Sequence, residues 1–313
     1  MENIKFNIKN LSLYLPKKII KNSELDKKFN LKKNTLFNLT GIKKRRVCAN
    51  HENTESIAIK AALKLIRNYK KKINITHLIT VTNTPSVYFP SVGHYVLSKI
   101  QKYLTNKPFN IPLNCGCSGY VDGLILAHKF ICNNKKSKIL IITSDTYSKF
   151  ISPSDKSILP LFGDGASASI IEYDKNGWSL ENEFSESIPN TEDNLIFKDI
   201  KGKKIISMKG PELINFAIKD VTPVLLKLIK KEKHLTIFSH QASKIVLNLI
   251  KKEIIKVNKN IKIPFSYENS GNLVSSSIPL LIKNHFKLFK KSKKIVISGF
   301  GVGLTHSYIK LKK

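Results

Sequence analysis

The sequence predicts an α/β fold in which strands and helices alternate along the whole chain. Short β-branched runs recur between stretches of helical apolar period, in the same style in both halves. No low-complexity linker divides the 313 residues, a length that suits two domains or one large duplicated one at about 100–200 residues each. Hydrophobic residues make up 42% of the chain, enough for a sizeable core, which excludes wholesale disorder.

Taken in order, residues 56–70 read as a helix and 75–82 (ITHLITVT) as a strand. Residues 110–114 form a short strand, 119–133 a helix by apolar spacing, and 139–143 and 166–172 two further strands. The turn-rich stretch 173–177 marks the expected junction between an N-terminal half, 1–173, and a C-terminal half, 174–313. The polar segment 181–204 is expected to form surface loops with one or two short strands. Beyond it, 211–230, 243–255 and 277–289 read as helices, and 235–238, 263–267, 294–298 and 305–309 as strands.

Charge and cysteine content limit the function classes. Lys and Arg number 54 against 22 Asp and Glu, a formal charge of +32. Arg occurs only at Arg45, Arg46 and Arg67, and the lysines are spread evenly, which is a bias of composition and not a binding stripe. Nucleic-acid recognition calls for a localised basic patch with Arg and aromatic partners, so no nucleic acid is expected. The charge still draws acidic partners and anionic cofactors over long range. The longest apolar runs, such as Ile139–Ile142, fall far short of the roughly 18 residues a membrane span needs. The first five residues lack the apolar core of a secretory signal, so a soluble, cytoplasmic protein is expected. Cys48, Cys115, Cys117 and Cys132 make neither a disulfide framework nor a CxxC metal pair, and no zinc site is expected.

Five segments carry residues suited to chemistry. In Asn114-Cys115-Gly116-Cys117-Ser118-Gly119 a strand runs in and a helix runs out. A thiol at that turn meets the N-terminal end of a helix, which favours the thiolate, so Cys117 is placed to be a nucleophile. The same residues also suit a packed turn holding two small buried cysteines. His240, in Ser239-His240-Gln241-Ala242, follows a strand and precedes a helix, where open α/β sheets keep their ligand sites, although a lone histidine is more often structural. Ser270-Gly271-Asn272 ends another strand and leads into a Ser-rich helix start, which also suits an ordinary turn and cap. Gly163-Asp164-Gly165 and Gly299-Phe300-Gly301-Val302-Gly303 are glycine loops without a Walker lysine. Such a loop brings backbone N–H groups against a substrate carbonyl. A thiol, an imidazole and an amide converging on one cavity equip a protein for acyl transfer through a thioester.

These residues resemble a known family, the β-ketoacyl-acyl-carrier-protein synthases III of the thiolase superfamily. Thr40-Gly41-Ile42-Lys43-Lys44-Arg45-Arg46 is similar to its TGIxxRR segment, and Phe89-Pro90-Ser91 to its FPS turn. Gly116-Cys117-Ser118-Gly119-Tyr120 resembles its nucleophile segment, and Phe162-Gly163-Asp164-Gly165-Ala166 its FGDGA loop. His240-Gln241-Ala242, Gly271-Asn272 with Ser276-Ser277-Ile278-Pro279, and Gly299–Thr305 resemble its HQA, GNTSAASIP and GFGGGLT motifs. Seven motifs in order span nearly the whole chain.

The resemblance implies a duplicated thiolase-like fold in α/β/α/β/α layers, assembled as a homodimer. It makes Cys117 the acylated residue, and His240 and Asn272 the pair that binds a malonyl thioester carbonyl and stabilises the enolate left by decarboxylation. It gives the N–H groups of Cys117 and Val302, in the loop with Gly301, the oxyanion hole. Phe89 is expected near the acyl pocket and across the dimer interface. Acyl groups arrive on the phosphopantetheine arm of coenzyme A or of acyl carrier protein, as substrates, with no metal and no permanently bound cofactor.

The chain departs from the pattern at several places. Thr35 and Leu39 stand where acetyl-coenzyme A-primed members carry a Trp and an Arg, Lys156 replaces an Arg, and Ser243 replaces the Asn of HQAN. With Cys117, His240 and Asn272 intact, decarboxylating condensation is expected, and the departures leave open which primer is used and whether coenzyme A or acyl carrier protein brings it. Two alternatives stand beside it: a synthase-like acyltransferase that moves an acyl group to an amine or alcohol, and a non-catalytic dimeric partner.

Overall fold

The computed structural model describes residues 4–200 and 202–313. The N-terminal half contains β1 (Lys5–Tyr14), β2 (Lys18–Lys21), α1 (Asn22–Lys28), α2 (Thr35–Thr40), β3 (Lys44–Val47), α3 (Thr54–Ile66), β4 (His77–Val81), α4 (Val92–Ile100), β5 (Phe109–Leu113), α5 (Gly119–Asn133), β6 (Lys138–Asp145) and β7 (Gly165–Tyr173). Then follow β8 (Trp178–Ser187), β9 (Leu195–Ile200), β10 (Lys203–Met208), α6 (Gly210–Phe216), α7 (Thr222–Ile229), β11 (Thr236–Ser239), α8 (Lys244–Val257), α9 (Ser277–Asn284), α10 (Phe286–Lys291), β12 (Lys294–Gly301) and β13 (Thr305–Lys312).

Pairing signs repeat between the halves. β4 runs parallel to β6, β6 antiparallel to β7, and β7 antiparallel to β1. In the same way β11 runs parallel to β12, β12 antiparallel to β13, and β13 antiparallel to β8. A short pairing of Lys5 with Ser179 and Phe6 with Trp178 joins the two sheets in the order β11-β12-β13-β8-β1-β7-β6-β4-β5.

Strands buried on both faces explain the unbroken apolar runs. Leu140 and Ile142 pack under α3 and α4, whereas Ile139 and Ile141 face α5. Ile295 and Ile297 face the same central layer, and Val296 packs under α7 and α8. The central layer is α5 with α9, whose Tyr120, Leu124, Ile131, Ile278 and Leu281 are buried between the sheets. Five layers result: helices, sheet, paired helices, sheet, helices. The expected thiolase-like architecture is the observed one.

Several elements differ from the sequence reading. The ten-residue strand β1 went unread, and β8 occupies part of the segment expected as loops. Its outer positions are solvent-facing, so its sequence is polar although it pairs along its length with β13. Residues 263–267 are not a strand: only Lys262 bridges Thr236. Pro264 offers no donor, and the Ser266 N–H goes to Gln241 Oε1 at 2.7 Å. The helix expected over 211–230 widens into a π turn at Ala217–Val221, just before Pro223, and that over 277–289 breaks at His285.

Candidate active site

Cys117, His240 and Asn272 each follow the end of a sheet-side segment, and all three line one cavity of about 600 Å³. Cys117 lies between β5 and the first turn of α5, and is buried. Its neighbour Gly116 has φ +51°, and a Cβ there would come 2.0 Å from Asn83 Oδ1, so glycine alone fits this turn. Across the cavity, a Cβ on Gly301 would meet the Cys117 Sγ at 2.9 Å, so glycine lets the β12–β13 loop touch the thiol.

The thiol does not follow the sequence expectation of a lowered pKa. Burial, reinforced by the charge of Asp145, pushes Cys117 up to about 12. The N–H groups of Val302 and of Cys117 itself reach the sulfur and offset this only in part. The residue is a neutral thiol at pH 7. Cys115, half-buried beside Asp122, is also raised, to about 11.

His240 continues from β11, with its N–H donating to the Ser298 carbonyl at 2.8 Å. Its Nδ1 lies 2.6 Å from Ser277 Oγ, and its ring stands edge-on to Phe300 at 5.6 Å. Burial lowers its pKa to about 3, so the imidazole is neutral across the physiological range. With Nδ1 occupied by Ser277, Nε2 is the nitrogen left for a ligand.

Asn272 is fixed by its backbone and by its side-chain oxygen. Its N–H donates to the Leu161 carbonyl at 2.9 Å, and Gly163 N–H donates to its carbonyl at 3.0 Å. Its Oδ1 accepts the Val274 N–H at 2.9 Å, which leaves the amide Nδ2 as a donor for the cavity.

The remaining expected residues divide. Gly301 and Lys156 line the cavity; Val302 adjoins it through its N–H to the Cys117 sulfur. Phe89 does not line its own chain's cavity; it is 87% exposed in the loop before α4. Phe162 and Phe300, in loops the sequence singled out for their glycines, form aromatic walls. Ser277 was read as part of a helix start and of the Ser276–Pro279 motif with no role of its own, and Asp145 was not singled out. Their signals were a hydroxyl five residues after Asn272 and an acid ending the run Lys138–Asp145.

The other walls are mostly aliphatic. Leu36 and Leu39 come from α2, Leu195 and Met208 from the β9–β10 hairpin, and Ile245 from α8. Leu39 at 52% exposure and Ile245 at 40% make an apolar rim at the mouth. No group of three or more metal-ligating side chains occurs among the described residues. No helix among them is long and apolar enough to cross a membrane.

The layered duplicate sheet places the protein in the thiolase-like class of enzymes. A solved 3-oxoacyl-(acyl-carrier-protein) synthase III superposes with a TM-score of 0.85 at 25% identity, covering 99% of this chain and 100% of that one. The family pattern described as 3-Oxoacyl-[acyl-carrier-protein (ACP)] synthase III matches residues 111–186, and its C-terminal pattern matches 229–312. The β-ketoacyl-[acyl-carrier-protein] synthase III of Clostridium acetobutylicum is 32% identical, with 96% of each chain covered. Synthase III 2 of Staphylococcus epidermidis is 30% identical over 94% of each. The chain belongs to the 3-oxoacyl-[acyl-carrier-protein] synthase III family.

Proposed function

We propose that this protein condenses an acyl group held on Cys117 with a malonyl thioester, with loss of CO2, in fatty-acid or related acyl-chain biosynthesis. The observation that carries the reading is the meeting of a thiol, a neutral imidazole and an oriented amide around one apolar cavity. In the first step the Cys117 sulfur gives up its proton and attacks the incoming thioester carbonyl. The oxyanion takes the N–H groups of Cys117 and Val302, and the departing pantetheine thiolate takes the proton that the Cys117 thiol gave up. Stabilisation of this kind is worth roughly 100-fold or more per donor.

The second step uses His240 and Asn272. Ser277 Oγ lies within reach of both Nδ1 and the Val274 carbonyl; in the proposed reactive tautomer its one proton goes to Nδ1, which puts the single imidazole proton on Nε2. Nε2–H and the Asn272 Nδ2–H both donate to the malonyl thioester oxygen. The bond to the carboxylate breaks, CO2 leaves, and the electron pair passes into an enolate held by those donors. The enolate carbon attacks the acyl-Cys117 carbonyl, and the tetrahedral intermediate expels the sulfur. No metal or bound cofactor has a role in this sequence.

Acyl carrier protein is the proposed donor, and the cytoplasm the proposed setting. Leu39 and Ile245 at the mouth offer nothing to a nucleotide phosphate, while the surface charge of +32 suits an acidic carrier. The halves 1–173 and 174–313 are proposed as the structural repeats, one bringing the thiol and the other the imidazole and amide; the repeated pairing signs support this. A homodimer is proposed through the edge strand β5, where Phe109 is exposed, and the loop before α4, where Tyr88 and Phe89 are exposed. Intact mass spectrometry with acyl-carrier-protein thioesters tests the reaction's first half. Cys117→Ala abolishes the acyl adduct, and Cys115→Ala keeps it. An adduct mapped to Cys115 contradicts the assignment.

A further inference from the structure

Asp145 closes β6 with its side chain wholly buried, and no ion pair neutralises it among the described residues. A buried carboxylate without a cation is costly unless donors surround it. Here they do, from two directions. Oδ1 accepts the Asn83 N–H at 2.9 Å and the hydroxyls of Thr82 and Thr84 at 3.2 and 3.3 Å. Oδ2 accepts the Ser275 hydroxyl, and the Ser275 N–H at 3.3 Å. The carboxylate therefore ties the loop after β4 to the loop that carries Asn272.

That second loop is strained. Val274, buried and β-branched, has φ +52°, a left-handed conformation such side chains avoid. The turn matters because the Val274 N–H holds Asn272 Oδ1. A backbone in such a conformation persists only where its surroundings over-determine it. Ser275, the next residue, is the one Asp145 grips.

We propose that Asp145 is a positioning residue for Asn272: by holding Ser275 it keeps Val274 in its left-handed turn and so aims the Asn272 amide into the cavity. This rests on the role given to Asn272 above. In Asp145→Asn the amide oxygen stays with Asn83, the shorter contact, and the NH2 faces the Ser275 N–H, donor against donor. The Ser275 hydroxyl can turn and accept from that NH2, so it is the contact to the Ser275 N–H that is lost; the grip on Ser275 loosens, and Val274 relaxes toward an ordinary φ. Asn272 swings, while Cys117 and its N–H donors stay in place. Glycine at 274 tolerates the left-handed turn without help, so Val274→Gly removes the need for the anchor.

The test compares two steps in one set of purified, full-length variants. Acylation of Cys117 is read by intact mass with acyl-carrier-protein thioesters, and decarboxylation by CO2 released from carboxyl-labelled malonyl-acyl carrier protein. Asp145→Asn also removes the charge that helps raise the Cys117 thiol, so acylation is expected to hold or rise, while CO2 release falls roughly tenfold, short of the ~100-fold for a lost donor. Adding Val274→Gly restores most of that release. Ser275→Ala, which removes only the hydroxyl, serves the same comparison if Asp145→Asn does not fold, with a smaller selective loss. Equal losses in both steps, no loss in either, or no recovery with Val274→Gly overturns the proposal. Asn272→Ala is the control. If it releases CO2 at the wild-type rate, the role of Asn272 itself is wrong; if it is impaired while Asp145→Asn is not, only the anchor is wrong.

Discussion

Cys115 and Cys117 are separated by one glycine, yet only the second lines the cavity. The segment's spacing pointed to a nucleophile at the turn, and the motif resemblance chose between the two thiols. What the residues could not disclose was burial. The helix start alone suggested a lowered pKa, whereas the enclosed site raises Cys117 to about 12. His240 shows the same effect with the opposite sign. Burial disfavours the imidazolium, so its pKa falls to about 3 and the ring stays neutral wherever the fold persists above that. Nitrogen-resolved NMR of histidine-labelled protein is expected to show this ring unprotonated from about pH 8 to about pH 5, across the ordinary histidine range. A titration near pH 6.5 contradicts the buried neutral donor. His240→Ala and Asn272→Ala should each lower condensation by at least an order of magnitude and spare Cys117 acylation. If each loses both steps equally, the division of labour fails.

At the scale of elements, long apolar segments were the most legible. β6 announced itself by the unbroken apolar run Ile139–Ile142, buried along its length, and α5 by apolar residues at helical spacing, most of them buried. β1 and β8 did not. Each mixes buried and solvent-facing positions, and their alternation is diluted by Asn, Lys and Glu. Pairing with distant strands, β7 and β13, decides their state, and no local window contains that information. β5 is short and lies at the sheet edge, with Phe109 65% exposed. Asn110 on the same strand donates to Ser91 Oγ at 3.1 Å, at the end of the loop that carries the exposed Tyr88 and Phe89. An edge this apolar invites a second chain. Light scattering is expected to give a dimer for the wild type and a monomer for Phe89→Asp combined with Phe109→Asp. A monomeric wild type, or a double variant that stays dimeric, rules this interface out.

Over the whole molecule, charge and cavity shape bear on the donor proposed above. The lysines form no stripe, so their collective field is the relevant quantity, and it favours an acidic protein over a small nucleotide carrier. Thr35 and Leu39 cannot replace a stacking indole and a phosphate-binding guanidinium, and each lost contact costs about 1–3 kcal/mol. Acylation by an acyl-carrier-protein thioester should therefore outpace the matching coenzyme A thioester at low salt, with the gap narrowing as salt rises. Equal rates at low salt contradict this. The family was legible because most of its motifs sit on the few loops that line the cavity; the acyl chain was not, because the walls come from α2, α6, α8 and a hairpin far apart in sequence. The central claim meets its most direct test in a single turnover. Enzyme acylated on Cys117 is mixed with carboxyl-labelled malonyl-acyl carrier protein. Condensation predicts one CO2 released for each β-ketoacyl product, with Cys117 freed at the same rate. Discharge of Cys117 to an amine or alcohol without CO2 would contradict it.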